Sequence, residues 1–193
     1  MAALKLAVLI SGRGSNLQAL IDACAVADFP AAIALVVANN RDAQGLARAR
    51  SAGIPTLTVE RRDHADRDAF DAALSETISG HGVNLICLAG FMSILGARLV
   101  ERWRGRLINI HPSLLPEFPG LDTHARVLAA GIRTTGCTVH YVTAEVDAGP
   151  VIIQQSVPVE ANDTPETLAA RVLAAEHQIY PRAVRLIAED RTT

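Results

Sequence analysis

Leu4-Lys5-Leu6-Ala7-Val8-Leu9-Ile10-Ser11-Gly12-Arg13-Gly14-Ser15-Asn16 decides how this chain folds. Its first seven residues are apolar except for Lys5, the pattern of a strand buried on both faces. Gly12 and Gly14 then permit a tight turn, and a helix is expected from about Ser15 to Ala27. A strand that passes through a glycine turn into a helix opens a βαβ unit.

The same rhythm runs through the first two-thirds of the chain. Strands are expected at Ile33–Ala38, Thr56–Val59, Val83–Leu88 and Arg106–His111. Helical spacing falls between them at Ala43–Ala52, Asp63–Ser79 (Phe70, Leu74, Ile78) and Ile94–Trp103. Residues 112–122 carry three prolines and read as an ordered, irregular loop. Beyond it the pattern gives a short helix, His124–Ala130, and two strands, Cys137–Val142 and Val151–Val157. A long helix, Thr164–Ala188, starts with proline at its first helical position. The expected fold is α/β: one domain, a doubly wound, mostly parallel sheet with flanking helices and right-handed crossovers.

Composition agrees. Half of the 193 residues are hydrophobic and only 4% aromatic, which suits a buried parallel sheet. A chain of this length buries roughly 70% of its unfolded surface. Net charge is −2 with no basic stripe, so nucleic acid is not an expected partner. Cys24, Cys87 and Cys137 lie far apart and form no Cys-x-x-Cys pair, as expected of buried thiols in a reducing compartment. The longest uncharged run, residues 82–97, falls short of a membrane span, and no signal segment is evident; a cytoplasmic location is expected.

Ile108-Asn109-Ile110-His111-Pro112-Ser113-Leu114-Leu115-Pro116 carries the chemistry. Asn109 and His111 stand two apart on a strand, so their side chains share a face. Pro112 stops the strand because it lacks the N–H a central ladder needs. A carboxamide and an imidazole thus meet at a strand's C-terminal end, where open α/β sheets bind ligands. Together they can hydrogen-bond a developing oxyanion; the plain alternative is a structural histidine.

Ser11 to Asn16 suits a phosphate, because a helix N-terminus offers free N–H groups and partial positive charge. The dinucleotide fingerprint is incomplete: Leu17 replaces its last glycine, and no convincing acidic residue for a ribose follows the second strand, where the chain reads Ala38-Asn39-Asn40-Arg41. A monophosphate fits better than a nicotinamide cofactor, with a plain tight turn as the alternative. Gly149 and Pro150 force a turn that can aim Asp147 back at His111, favouring its imidazolium form; otherwise Asp147 is a solvated turn acid. Arg67 and Glu176 fall on helices, where surface charge is the ordinary reading. His111, His124 and His140 match no metal-ligand spacing, and no metal is expected.

Three blocks, Leu88-Ala89-Gly90-Phe91-Met92, Asn109 to Pro116 and Asp147-Ala148-Gly149-Pro150, together with Ile10 to Leu17 and Glu176-His177, resemble the phosphoribosylglycinamide formyltransferase family. The resemblance spans nearly the whole chain. It implies a Rossmann-like formyltransferase domain over residues 1–193, with the phosphate loop in the N-terminal half and the formyl-folate site in the C-terminal half. It also implies transfer of a formyl group from 10-formyltetrahydrofolate, a consumed co-substrate, to the amine of glycinamide ribonucleotide in purine biosynthesis, without a metal. Asn109, His111 and Asp147 match the catalytic positions. Gly14, Ser15, Asn16 and Glu176 match those that hold the phosphoribosyl group. Arg67, Met92, Ser93, Ile94, Leu95, Asn109, Thr143, Ala144, Glu145, Val146 and Asp147 match the formyl-folate site. The implied state is a monomer or homodimer, away from membranes.

Ser93 stands where many relatives carry Arg, Glu117 where many carry Lys, and Asp122 where His is frequent. A formyltetrahydrofolate hydrolase would share the folate machinery but use water, and is expected to carry an extra N-terminal regulatory domain. A methionyl-tRNA formyltransferase is expected to add a C-terminal domain and a basic surface. A non-catalytic nucleotide-binding module leaves the joint presence of Asn109, His111 and Asp147 without a reason.

Overall fold

The computed structural model describes residues 3–190. Five strands lie parallel: β1 (Leu4–Ile10), β2 (Ala31–Ala38), β3 (Thr56–Thr58), β4 (Leu85–Leu88) and β5 (Leu107–His111). β6 (Thr134–Tyr141) and β7 (Val151–Pro158) join antiparallel, giving the order β3-β2-β1-β4-β5-β6-β7. The helices are α1 (Ser15–Cys24), α2 (Gly45–Ser51), α3 (Arg67–Ser79), α4 (Ala97–Arg102), α5 (Thr123–Ala129) and α6 (Pro165–Asp190). The sheet is doubly wound and mostly parallel, as the alternation of strand and helix signals requires.

Strand parity divides the core into two layers. Leu6, Val8 and Ile10 pack with α1 and α6, while Ala7 and Leu9 pack with α3 and α4. On β5, Ile108 and Ile110 join the first layer and Leu107 the second. Asn109 and His111 therefore share the face of Leu107, two and four residues further along the strand.

Several elements are shorter than periodicity predicts. α1 ends at Cys24 rather than Ala27. α3 starts at Arg67 rather than Asp63, because the Asp66 carboxylate accepts the Ala69 N–H at 2.8 Å and caps it, while Arg61–Asp63 forms a separate 3-10 turn. α4 starts at Ala97 rather than Ile94. Gly96 is held extended at its N-cap, and the buried Asp71 takes the Gly96 N–H at 2.7 Å. Residues 92–95 are thereby left as a loop. Cys87 and Cys137 are buried as expected, and Cys24 is half-buried.

Candidate active site

The direction of the sheet reverses at β1, with β2 on one side and β4 on the other. Loops leaving the C-terminal ends of such neighbours diverge and open a crevice. A cavity of about 330 Å3 lies there, lined by Ser11–Asn16 after β1 and by Ala89, Gly90 and Met92 after β4. Gly14 is the N-cap of α1 with φ 71°, and no side chain caps the helix. The first N–H groups of α1 are consequently available to an anion.

A larger cleft of about 860 Å3 adjoins it and shares Asn16, Gly90 and Met92. Met92, Ser93, Ile94, Leu95, Asn109, Thr143, Ala144, Glu145, Val146 and Asp147 all line it, as do His111 and Glu176. Met92, Ile94, Leu121 and Val146 are more than half exposed, giving the cleft apolar walls suited to a flat, partly aromatic ligand. Arg67 opens α3 and is not among the residues lining either cavity.

At the cleft floor, His111 Nδ1 lies 3.3 Å from Asp147 Oδ2, and His111 Nε2 lies 2.9 Å from the Phe118 carbonyl. Both ring nitrogens face acceptors, so the doubly protonated ring can donate to each. The turn that aims Asp147 is tight: a Cβ at Gly149 would overlap the Tyr141 carbonyl oxygen. The Gly120 N–H donates to Asp147 Oδ2 at 2.9 Å. Burial pushes the Asp147 carboxyl up, but His140, the Gly120 N–H and the charge of His111 outweigh it and hold it below the ordinary value.

His140, weighed from sequence only as a metal ligand, stands directly opposite Asn109 across the antiparallel β5–β6 pair. Its Nδ1 lies 2.9 Å from the Tyr141 carbonyl and its Nε2 3.3 Å from Asn109 Nδ2. With Nδ1 donating to Tyr141, Nε2 faces both Asn109 and, at 3.6 Å, Asp147 Oδ1. His140 thus braces the Asn109 carboxamide beside the Asp147 carboxylate. Only the antiparallel pairing places His140 here; the alternation of Cys137, Val139 and Tyr141 gives its face of the strand but not its partner.

Asn16 Nδ2 donates to Glu176 Oε2 at 2.7 Å, linking α1 to α6. Tyr180, one turn after Glu176, is fully buried and donates to the Leu88 carbonyl at 2.9 Å, which seats α6 over the end of β4. Burial raises the Glu176 carboxyl, with the Asn16 amide opposing it. His124 also lines the cleft, and burial, then the charge of His111, lower its affinity for a proton. Among the described residues no cluster of three or more His, Cys, Asp or Glu side chains is arranged to hold a metal ion. No described helix is long and apolar enough to cross a membrane.

Comparison with known proteins supplies a family. The formyl transferase family profile matches residues 4–184. Phosphoribosylglycinamide formyltransferase of Escherichia coli is 46% identical over 188 residues, covering 97% of this chain and 89% of that protein. The trifunctional purine biosynthetic protein adenosine-3 of Gallus gallus is 50% identical over 184 residues, which are 95% of this chain but only 18% of the longer protein. Among solved structures, glycinamide ribonucleotide transformylase 1 from Symbiobacterium toebii superposes with a TM-score of 0.95 at 48% identity, covering 98% of this chain and 89% of that one. Phosphoribosylglycinamide formyltransferase from Brucella melitensis gives 0.93 at 47% identity, covering 96% of each.

Proposed function

The chain belongs to the phosphoribosylglycinamide formyltransferase family, and from that premise we propose that it moves the formyl group of 10-formyltetrahydrofolate to the amine of glycinamide ribonucleotide. The products are formylglycinamide ribonucleotide and tetrahydrofolate, in purine biosynthesis. The observation that carries this reading is the juncture of two cavities at one strand end. An anion-suited glycine turn opens into an apolar-walled cleft with Asn109, His111 and Asp147 at its floor.

In this reading the nucleotide phosphate sits on Gly14, Ser15 and Asn16, with Glu176 beside the ribose. The folate occupies the cleft between residues 92–95 and 143–147, with the Arg67 cation towards its acidic tail. Residues 1–193 form one formyltransferase domain. The amine attacks the formyl carbon, and the oxygen becomes an oxyanion. The Asn109 carboxamide N–H and the His111 Nε2–H donate to it; His111 gives up its contact with the Phe118 carbonyl or shares it. Each such donor contributes about 100-fold to 1,000-fold in turnover. Asp147 holds the His111 ring through Nδ1, and its carboxylate orients a water that carries the amine proton to the departing folate nitrogen. The C–N bond to folate breaks as that proton arrives, so no charge is left over and no covalent enzyme intermediate forms.

Folate-product absorbance, followed with and without glycinamide ribonucleotide, tests the reading. Turnover is expected only with the nucleotide, and the nucleotide is expected to carry the formyl group. Equal turnover without it, releasing formate, would make the chain a hydrolase. No turnover in either case would reduce it to a binding module.

A further inference from the structure

Two hydrogen bonds reach the glycine turn from α2, and no α2 residue lines the small cavity. The Gly45 N–H donates to the Gly12 carbonyl at 3.0 Å. Arg48 Nε donates to the Arg13 carbonyl, also at 3.0 Å. In a trans peptide the C=O and the following N–H point in opposite directions. Tying these two carbonyls back to α2 turns the N–H groups of Arg13 and Gly14 away from α2, to the side where the cavity lies. Successive N–H groups presented to one side form an anion-binding nest, here continuous with the uncapped first turn of α1.

The two tethers differ in kind. The Gly45 bond comes with close backbone packing: a Cβ at Gly14 would lie 2.7 Å from Gly45 Cα, and one at Gly45 2.6 Å from Ile10 Cδ1. The Arg48 bond is made by an exposed side chain that also reaches Gln18 Oε1 at 3.3 Å. It can be removed without touching the core. Released from Arg48, the Arg13–Gly14 peptide is free to rotate, since Gly14 is equally at ease on either side of φ zero. A rotated peptide would present a carbonyl oxygen, rather than an N–H, to the anion.

We propose that Arg48 is a positioning residue for the substrate phosphate: it holds the Arg13 carbonyl so that the Gly14 N–H faces the phosphate cavity. The proposal rests on the nucleotide reading above and adds α2 to the machinery that reading describes. The guanidinium acts from behind the turn, so its loss weakens phosphate binding and leaves the transfer step alone.

The test compares Arg48→Met and Arg48→Lys with the unsubstituted protein. Inorganic phosphate is the probe, and the Gly14 amide resonance of nitrogen-labelled protein is the readout. Phosphate is expected to move that resonance saturably in the unsubstituted protein. Affinity should fall about tenfold in Arg48→Met, the scale of one hydrogen bond to a charged group. Arg48→Lys, which keeps a donor and the charge, should recover most of it. In the transfer assay the nucleotide KM should rise by a similar factor in Arg48→Met, while kcat and the folate KM hold. Equal phosphate affinity in Arg48→Met and the unsubstituted protein would overturn the proposal. So would a Gly14 amide that phosphate does not move. Phosphate binding is read without turnover, so a protein that binds phosphate through Arg48 yet transfers no formyl group would overturn only the functional reading.

Discussion

Asp147 adopts φ 54°, a left-handed backbone that aspartate tolerates better than most residues, and its side chain is nearly buried. What holds it there is the absence of a side chain two residues on, where Gly149 lets the turn press against the Tyr141 carbonyl. Gly149→Ala is therefore expected to cost about 1–3 kcal/mol of stability, as overpacked sites do. It should also lower kcat by shifting Asp147 from His111. Melting temperature and steady-state turnover check this; both unchanged would mean that the turn does not position Asp147. Asn109 and His111 were legible in the sequence as a same-face pair, because strand parity is local and Pro112 marks the strand end. His140 was not, since its role depends on which residue faces it across the β5–β6 pair. Cross-strand register is set by the whole sheet, and no spacing within residues 134–141 encodes it.

At the scale of elements, single side chains tie loops at the carboxyl ends of neighbouring strands. Glu60, just past β3, is buried. It accepts the Arg41 N–H at 2.9 Å and Arg41 Nε at 3.1 Å beyond β2, and also Arg62 Nε at 2.7 Å. Arg41, through its side chain and then its N–H, outweighs burial and with Arg62 lowers the Glu60 carboxyl from 4.5 to about 2. A carboxyl whose folded value lies below its unfolded one stabilises the fold above the unfolded value and loses that effect as pH falls through the folded one. Glu60→Gln should therefore melt lower than the unsubstituted protein near neutral pH. The gap should close as pH drops from about 4.5 towards about 2. Melting temperature against pH measures it, and a gap that ignores pH would place the effect in packing rather than charge. The strands and helices were legible as elements because their apolar periods are strong. Their ends were less so: the starts of α3 and α4 are set by Asp66 and Asp71, whose side chains compete for backbone N–H groups that periodicity counts as helical.

Over the whole molecule, the parallel half of the sheet supplies the small crevice at the β1–β4 reversal, and the antiparallel addition of β6 supplies His140 and the turn bearing Asp147. Asn16, Gly90 and Met92 belong to both cavities, so ligands held in the two would meet beside the end of β4. The core layers lie below this rim, and the proposed chemistry draws on side chains at its edge. Fold and catalysis should then separate cleanly in one substitution. The deciding measurement is kcat of His111→Ala at saturating 10-formyltetrahydrofolate and glycinamide ribonucleotide, with the melting temperature taken on the same sample. A fall of about 100-fold to 1,000-fold in kcat with the melting temperature kept is the expected result. A folded His111→Ala protein with near-normal kcat would contradict the assignment of the strand-end pair to the transfer step.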